Sequence, residues 1–299
     1  YRHTFREEPH AEHVEAAVLD MVARWYKDVF EDLNRFCAQH MDFVDNTIAR
    51  FAHEVQFYIA WHEYIGSFRR VGLSFCYPKI CTTKEHIYSL GGFDLALARS
   101  LLSHGTVVTN DFSLDTPERA IVITGPNQGG KTTFARTFGQ LHHLACIGCC
   151  VPGTDAALFL FDHIYTHFGR EEDLSTLSGN LQDDLIRLHR VFENASEDSI
   201  IIINETFSSA ALQDALLLAK RMMDKVVSLG ALAVCVTFLD ELASHSAETV
   251  SMMSTVRQDD PTQRTYKIVR QSADGLAYAI HIAEKHGLTY ESLCRRLQA

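Results

Sequence analysis

Residues 124–133 read T-G-P-N-Q-G-G-K-T-T and fit the spacing G-x-x-x-x-G-K-[ST]. Such a loop binds the phosphates of a nucleoside triphosphate together with Mg²⁺. Gly125, Pro126, Asn127, Gln128, Gly129 and Gly130 form the loop, whose backbone N–H groups would wrap the phosphates. Lys131 would reach the outer phosphates, Thr132 would offer its hydroxyl to Mg²⁺, and Thr133 continues the phosphate-binding turn. A second group of candidates lies at Ile200-Ile201-Ile202-Ile203-Asn204-Glu205. A hydrophobic strand ending in two acids is the usual second anchor of such a site, one acid for Mg²⁺ and one for the attacking water. Here Asn204 takes the metal position; its amide can accept from metal-bound water but brings no charge. Glu205 is placed to act as general base or to orient water; the alternative is a cap for a helix starting near Ser209.

These residues need a strand, a tight loop and a helix in that order. Ala120–Thr124 reads A-I-V-I-T, a short buried strand, and Thr133–Leu144 continues as a helix whose N-terminus favours phosphate. Further on, strands are expected at 157–161, 164–168, 199–203 and 232–236. Helices are expected at 181–194 and 212–227. An edge strand is expected at 264–269 and two closing helices at 274–283 and 289–297. Strands alternating with helices imply a mostly parallel α/β sheet flanked by helices over 91–299. Before it, residues 10–65 carry apolar residues at helical spacing and predict two long helices broken near Gln39 to Asp42. Gly66 to Pro78 ends them, and 79–90 reads as a linker or small irregular segment, giving a helical region with linker over 1–90.

The formal charge of −11 argues against a broad nucleic-acid footprint on this piece. Arg69-Arg70 and Arg295-Arg296 are each too short to count as one. No apolar run reaches transmembrane length, and no apolar stretch follows the polar first residues, so neither membrane span nor signal peptide is read. The chain opens on Tyr1, which suggests a piece of something longer. The eight cysteines show no second pair at zinc spacing and are expected to be buried thiols of a reducing, cytoplasmic compartment.

The chain resembles the ATPase domain of the MutS family of DNA mismatch-repair proteins. The family's loop is close to T-G-P-N-M-G-G-K-S-T. The resemblance runs on through Arg136, Ile147-Gly148 to Val151-Pro152, Glu172-Asp173-Leu174, Ile200 to Glu205, Thr237 and the segment 273–297. It implies a P-loop ATPase of the ABC type, a homodimer, and composite sites completed by the partner's signature loop. By this resemblance Ser178, Gly179 and Asn180 would touch the partner's γ-phosphate, Asn110 would lie near adenine, and Asp184 matches an acidic position of the signature helix. Helices 10–65 look like a shortened lever joining the ATPase to a DNA clamp. Three departures stand out: Asn204 replaces the family's aspartate, Phe238 follows Thr237 where the family has histidine, and the loop after Glu205 reads T-F-S-S in place of a glycine-rich turn. The mismatch-reading domain has no counterpart here.

The expected function is therefore an ATP-binding dimeric switch with weak hydrolysis, tied to DNA repair through regions outside this piece. Alternatives are a fully active DNA-dependent ATPase and a nucleotide-binding interaction module without turnover.

Overall fold

A computed structural model of the chain describes residues 11–41, 44–169, 180–257, 259–260, 263–273, 288–290 and 294. It divides into two compact units, Tyr1–Ala60 and Trp61–Ala299.

The first unit holds α1 (Ala11–Trp25), α2 (Lys27–Gln39) and the start of α3 (Asn46–Arg69). There are three helices where two were expected. The break near 39–42 is present, but a further one falls at Tyr26, whose backbone leaves the helical region at φ −116°, ψ 49°. Neither Gly nor Pro marks it. Asp45 starts α3 by accepting the Thr47 N–H. The helix also runs through Gly66 to Arg69, one turn further than expected, because Ile65 and Phe68 are buried.

The second unit is layered. After β1 (Phe75–Cys76) come β2 (Lys79–Cys81), β3 (His86–Gly92), α4 (Leu95–Leu101), β4 (Asn110–Asp115), β5 (Ala120–Thr124) and α5 (Lys131–Cys146). Then follow β6 (Val151–Pro152), β7 (Asp155–Phe159), β8 (Ile164–Phe168), α6 (Asn180–Asn194), β9 (Ile200–Asn204) and α7 (Leu212–Leu229). β10 (Leu232–Val236), a 3₁₀ turn (Asp240–Ser244), β11 (Thr249–Val256) and β12 (Arg264–Arg270) complete it. The main sheet has the order β12-β11-β5-β10-β9-β8. All its neighbours are parallel except the edge pair β11–β12, so the expected mostly parallel α/β sheet is present.

Segment 79–90 is not a linker: β2 and β3 join β7 and β4 in a second sheet of order β2-β7-β3-β4. The partners of β3 lie far along the chain, Tyr88 opposite Ser113 and Ala157, so no local signal announces the pairing. β11 and α4 were also unanticipated. The closing helices expected at 274–283 and 289–297 fall almost wholly outside the described residues.

Alternate residues of the main strands face opposite layers, as strand geometry demands. Ile121, Ile123, Ile202 and Val234 pack with Phe134, Phe138 and Leu141 of α5 and with Leu114 and Leu158 of the second sheet. Val122, Ile201, Ile203 and Ala233 pack with Met222, Met223 and Val226 of α7 and with Leu188 of α6. Gly230 at φ +73° ends α7, its N–H reaching Val227 O. The site loops thus emerge from strands buried on both faces, which holds them still.

All eight cysteines are free thiols. Cys149, Cys150 and Cys235 are buried as expected, and burial pushes the Cys235 thiol up to about 12. Cys37 is exposed instead, and the remaining four are half-buried. Among the described residues no helix is long and apolar enough to cross a membrane.

Candidate functional site

β5 delivers the chain into the glycine loop, and the loop is shaped by what lies beneath it. Gly125 sits at φ +98°, and a Cβ there would stand 2.8 Å from Ser254 O on β11. A Cβ on Gly129 would stand 2.6 Å from Ser254 Oγ. Gly130, at φ +92°, is the N-cap of α5. Glycine is needed at 125 and 130 for conformation and at 125 and 129 for space.

Lys131 is 5% exposed and its Nζ is turned onto the loop, donating to Gly125 O (2.8 Å), Pro126 O (3.1 Å) and Asn127 Oδ1 (3.2 Å). Burial lowers its pKa; Glu205 opposes that shift and Arg264 adds to it. The carbonyls hold the ammonium where outer phosphates would compete for it. Thr132 Oγ1 donates to Asn204 Oδ1 at 2.8 Å, so the two residues expected at the metal meet across α5 and β9. Both are uncharged oxygen donors, which suits a hard cation whose remaining ligands are phosphate and water. Among the described residues no group of three or more His, Cys, Asp or Glu side chains is arranged to hold a metal.

Glu205 follows β9 directly. Its N–H donates to Val236 O at 2.9 Å, its φ is +52°, and its side chain is exposed beside the loop. It does not cap the following helix, because α7 starts at Leu212 with Ala211 as N-cap and no side-chain cap. Phe207, two residues on, has φ +60°, and its N–H donates to Asp184 Oδ2 at 3.4 Å. Asp184 Oδ1 stands 3.1 Å from the buried His167 Nε2. Burial and the neighbouring Arg187 lower the pKa of His167 against the pull of Asp184, leaving the imidazole neutral at neutral pH. Asp184 thus ties α6 to the strained turn that carries Glu205.

A cavity of about 500 Å³ opens over these groups. Its polar lining is formed by Gln128, Gly130, Lys131, Thr132, Thr133 and Glu205. Leu97, Leu101, Val108 and Asn110 also line the cavity, as does Tyr266, which stands next to Gly130. Asn110 is committed to backbone: Nδ2 donates to Tyr266 O (3.2 Å) and Oδ1 accepts the Ile268 N–H (2.8 Å). It pins β12 beside β4 and so sets Tyr266, another residue of positive φ, on the cavity wall. Arg264 Nε donates to Asn127 O at 3.1 Å, joining β12 to the loop. Leu97, Leu101, Val108 and Tyr266 escaped the sequence reading. The one signal was Asp94 before an apolar run, an N-cap pattern.

Thr237 ends β10 beside β5, its N–H reaching Ile123 O. Phe238 points elsewhere: it is 48% exposed and lines a separate hollow with Leu212, Leu239 and Asp240. Ser178 and Gly179 lie outside the described residues. Asn180 is the first residue of α6.

A parallel β-sheet with a glycine loop running into the next helix defines a P-loop α/β protein. A family model for MutS domain V matches residues 121–296, more than half of the chain. The chain belongs to the MutS family. It is 27% identical over 208 residues to the DNA mismatch repair protein MutS of Geobacillus thermodenitrificans, covering 68% of this chain and 23% of that protein. To the DNA mismatch repair protein MutS of Lactobacillus helveticus it is 28% identical over 224 residues, 72% of this chain and 25% of the relative. To that of Caldicellulosiruptor saccharolyticus it is 28% identical over 250 residues, 80% and 29%. The chain spans about a quarter of the length of these curated relatives.

Proposed function

We propose that this chain is an ATP-binding dimeric switch with weak ATP hydrolysis, working in DNA repair or DNA binding. The observation that carries the reading is one cavity lined by Lys131, Thr132 and Glu205 beside a fully formed glycine loop, with Asn204 bonded to Thr132 next to it. The loop Gly125–Gly130 binds the phosphates through backbone N–H groups, and Lys131 leaves its carbonyl partners for the outer phosphates. Thr132 and Asn204 are the residues that would hold Mg²⁺, which when bound neutralises phosphate charge. Glu205 orients water and takes its proton. Asn110 holds the wall against which adenine lies.

Hydrolysis is slow in this reading because Asn204 brings no charge and Phe238 can neither donate nor accept a hydrogen bond. Ser178, Gly179 and Asn180 complete the partner's site in a homodimer, so bound nucleotide favours the closed pair by linkage. The ATPase function belongs to 91–299, and the helices within 1–90 carry its state to DNA, bound through regions beyond this piece. We place the protein in the cytoplasm. The neutral Asn204 also favours a second reading, a module that holds ATP without turnover.

The test is ATP binding and turnover with Mg²⁺ on the wild-type chain, Lys131→Ala and Glu205→Gln, with sedimentation in each nucleotide state. Lys131→Ala is expected to weaken ATP binding by roughly 10- to 100-fold, the worth of a charged hydrogen-bonding group. Turnover that depends on both residues supports a working ATPase. Binding and dimerisation without turnover supports the holding module. Absence of both binding and dimerisation sinks the nucleotide reading.

A further inference from the structure

Asp94 is the most completely buried carboxylate near the cavity: its side chain is 0% exposed. It caps α4, with Oδ1 accepting the Leu97 N–H at 2.7 Å. A serine would serve that purpose equally well. The carboxylate does more. Arg136 grips both its oxygens, with Nη2 to Oδ1 at 2.9 Å and Nε to Oδ2, and Gln140 Nε2 donates to Oδ2 at 2.9 Å. Gln140 Oε1 in turn accepts the Leu95 N–H at 3.0 Å. Arg136 and Gln140 are four residues apart, on one face of α5. A buried charge is tolerated only when fully paired, and this one is.

The clamp joins two helices that line one cavity. α5 begins at Lys131 and Thr132, in the polar lining. α4 supplies Leu97 and Leu101 to the apolar lining. Apolar packing of α4 is small, with Ala98 buried and Leu95 against the main core, and the clamp adds directed hydrogen bonds to α5.

We propose that Asp94, Arg136 and Gln140 are positioning residues that hold α4 as the nucleobase wall and so set the preference of the site for a nucleoside triphosphate over bare triphosphate. This rests on the nucleotide-binding reading above. The phosphates are gripped by the loop whether or not the clamp is intact; the base is gripped only while α4 stands at its distance from α5. Loss of the clamp therefore removes base affinity and leaves phosphate affinity.

The experiment is calorimetric titration of the whole chain with ATP and, separately, with inorganic tripolyphosphate, both with Mg²⁺. Wild type, Arg136→Ala and the milder Gln140→Ala are compared, with melting curves to show that each is folded. Gln140→Ala leaves the Arg136–Asp94 pair in place, so it remains a test if Arg136→Ala does not fold. The expected result is wild-type preference for ATP, falling about 10-fold in Arg136→Ala and about 3-fold in Gln140→Ala. Tripolyphosphate affinity stays within about 2-fold. Equal losses for both ligands, or no loss for either, overturn the clamp while leaving the nucleotide reading standing. A wild-type chain that binds neither ligand overturns both.

Discussion

The phosphate loop and the edge that faces it are specified to different degrees. Along Gly125–Thr133 each glycine answers a measurable demand, a positive φ or a Cβ within 2.8 Å of Ser254. Across the cavity, Asn204 and Glu205 stand in place, but the metal-side residue is neutral and Phe238 lies in a different hollow. In the proposed function, binding and turnover depend on different walls, and the departures Asn204 and Phe238 concern the turnover wall. The difference teaches that backbone demands fix a glycine loop residue by residue, whereas the edge facing it rests on a few side chains.

Glu205→Gln gives the sharpest separation of the two walls. It keeps shape and hydrogen bonding but removes the base, so kcat should fall about 100-fold or more while ATP affinity stays within about 2-fold. An equal fall in affinity would mean that Glu205 belongs to the binding wall, and the comparison would break.

Acid conditions must be kept apart from that chemistry, because α5 carries its own titration. His142 is 0% exposed, packs against Phe138 with Phe112 beyond it, donates from Nδ1 to Phe138 O, and has no partner at Nε2. Burial lowers its pKa from 6.5 to about 4, with the bond to Phe138 O opposing. The unfolded chain takes up this proton first as pH falls. The neutral histidine's contribution is therefore whole above about pH 6.5 and is lost as pH falls towards 4, amounting to about 2 kcal/mol by pH 5. Denaturant melts at pH 7 and pH 5 should show that drop, and His142→Leu should flatten it. An unchanged slope would remove His142 as its source.

Asn204→Asp restores charge at the metal position and should bring the smallest change. Mg²⁺ should strengthen ATP binding about 10-fold more in the variant than in the wild type, about 1.4 kcal/mol. Titration of ATP with and without Mg²⁺ reads this directly. Equal metal dependence in the two proteins would mean that the neutral amide is not what limits the second wall.

The loop, Thr132, Asn204 and Glu205 were legible because their spacing is local: nine consecutive residues form the cradle, and a run of four isoleucines points to the strand end. The apolar wall was not. Leu97, Leu101 and Val108 come from one stretch, but it is brought to Tyr266 by Asn110, across more than 150 residues, and to α5 by Asp94. The second sheet escaped for the same reason, since β3 finds its partners at 113 and 157. Tyr26 escaped because a helix can break on one ordinary residue whose dihedrals carry no compositional mark.

By itself, then, the sequence determined the family resemblance, the buried parallel strands and the glycine loop with the Thr132 and Asn204 that meet beside it. Each of these is encoded in a short run whose residue types limit the backbone or the chemistry directly. Only the tertiary structure decided that Lys131 rests on its own loop, that Asn110 is spent on β12 rather than left free, and that a buried carboxylate locks α4 to α5. Those outcomes follow from which distant segments share a layer, and long-range packing sets that through contacts no local pattern records.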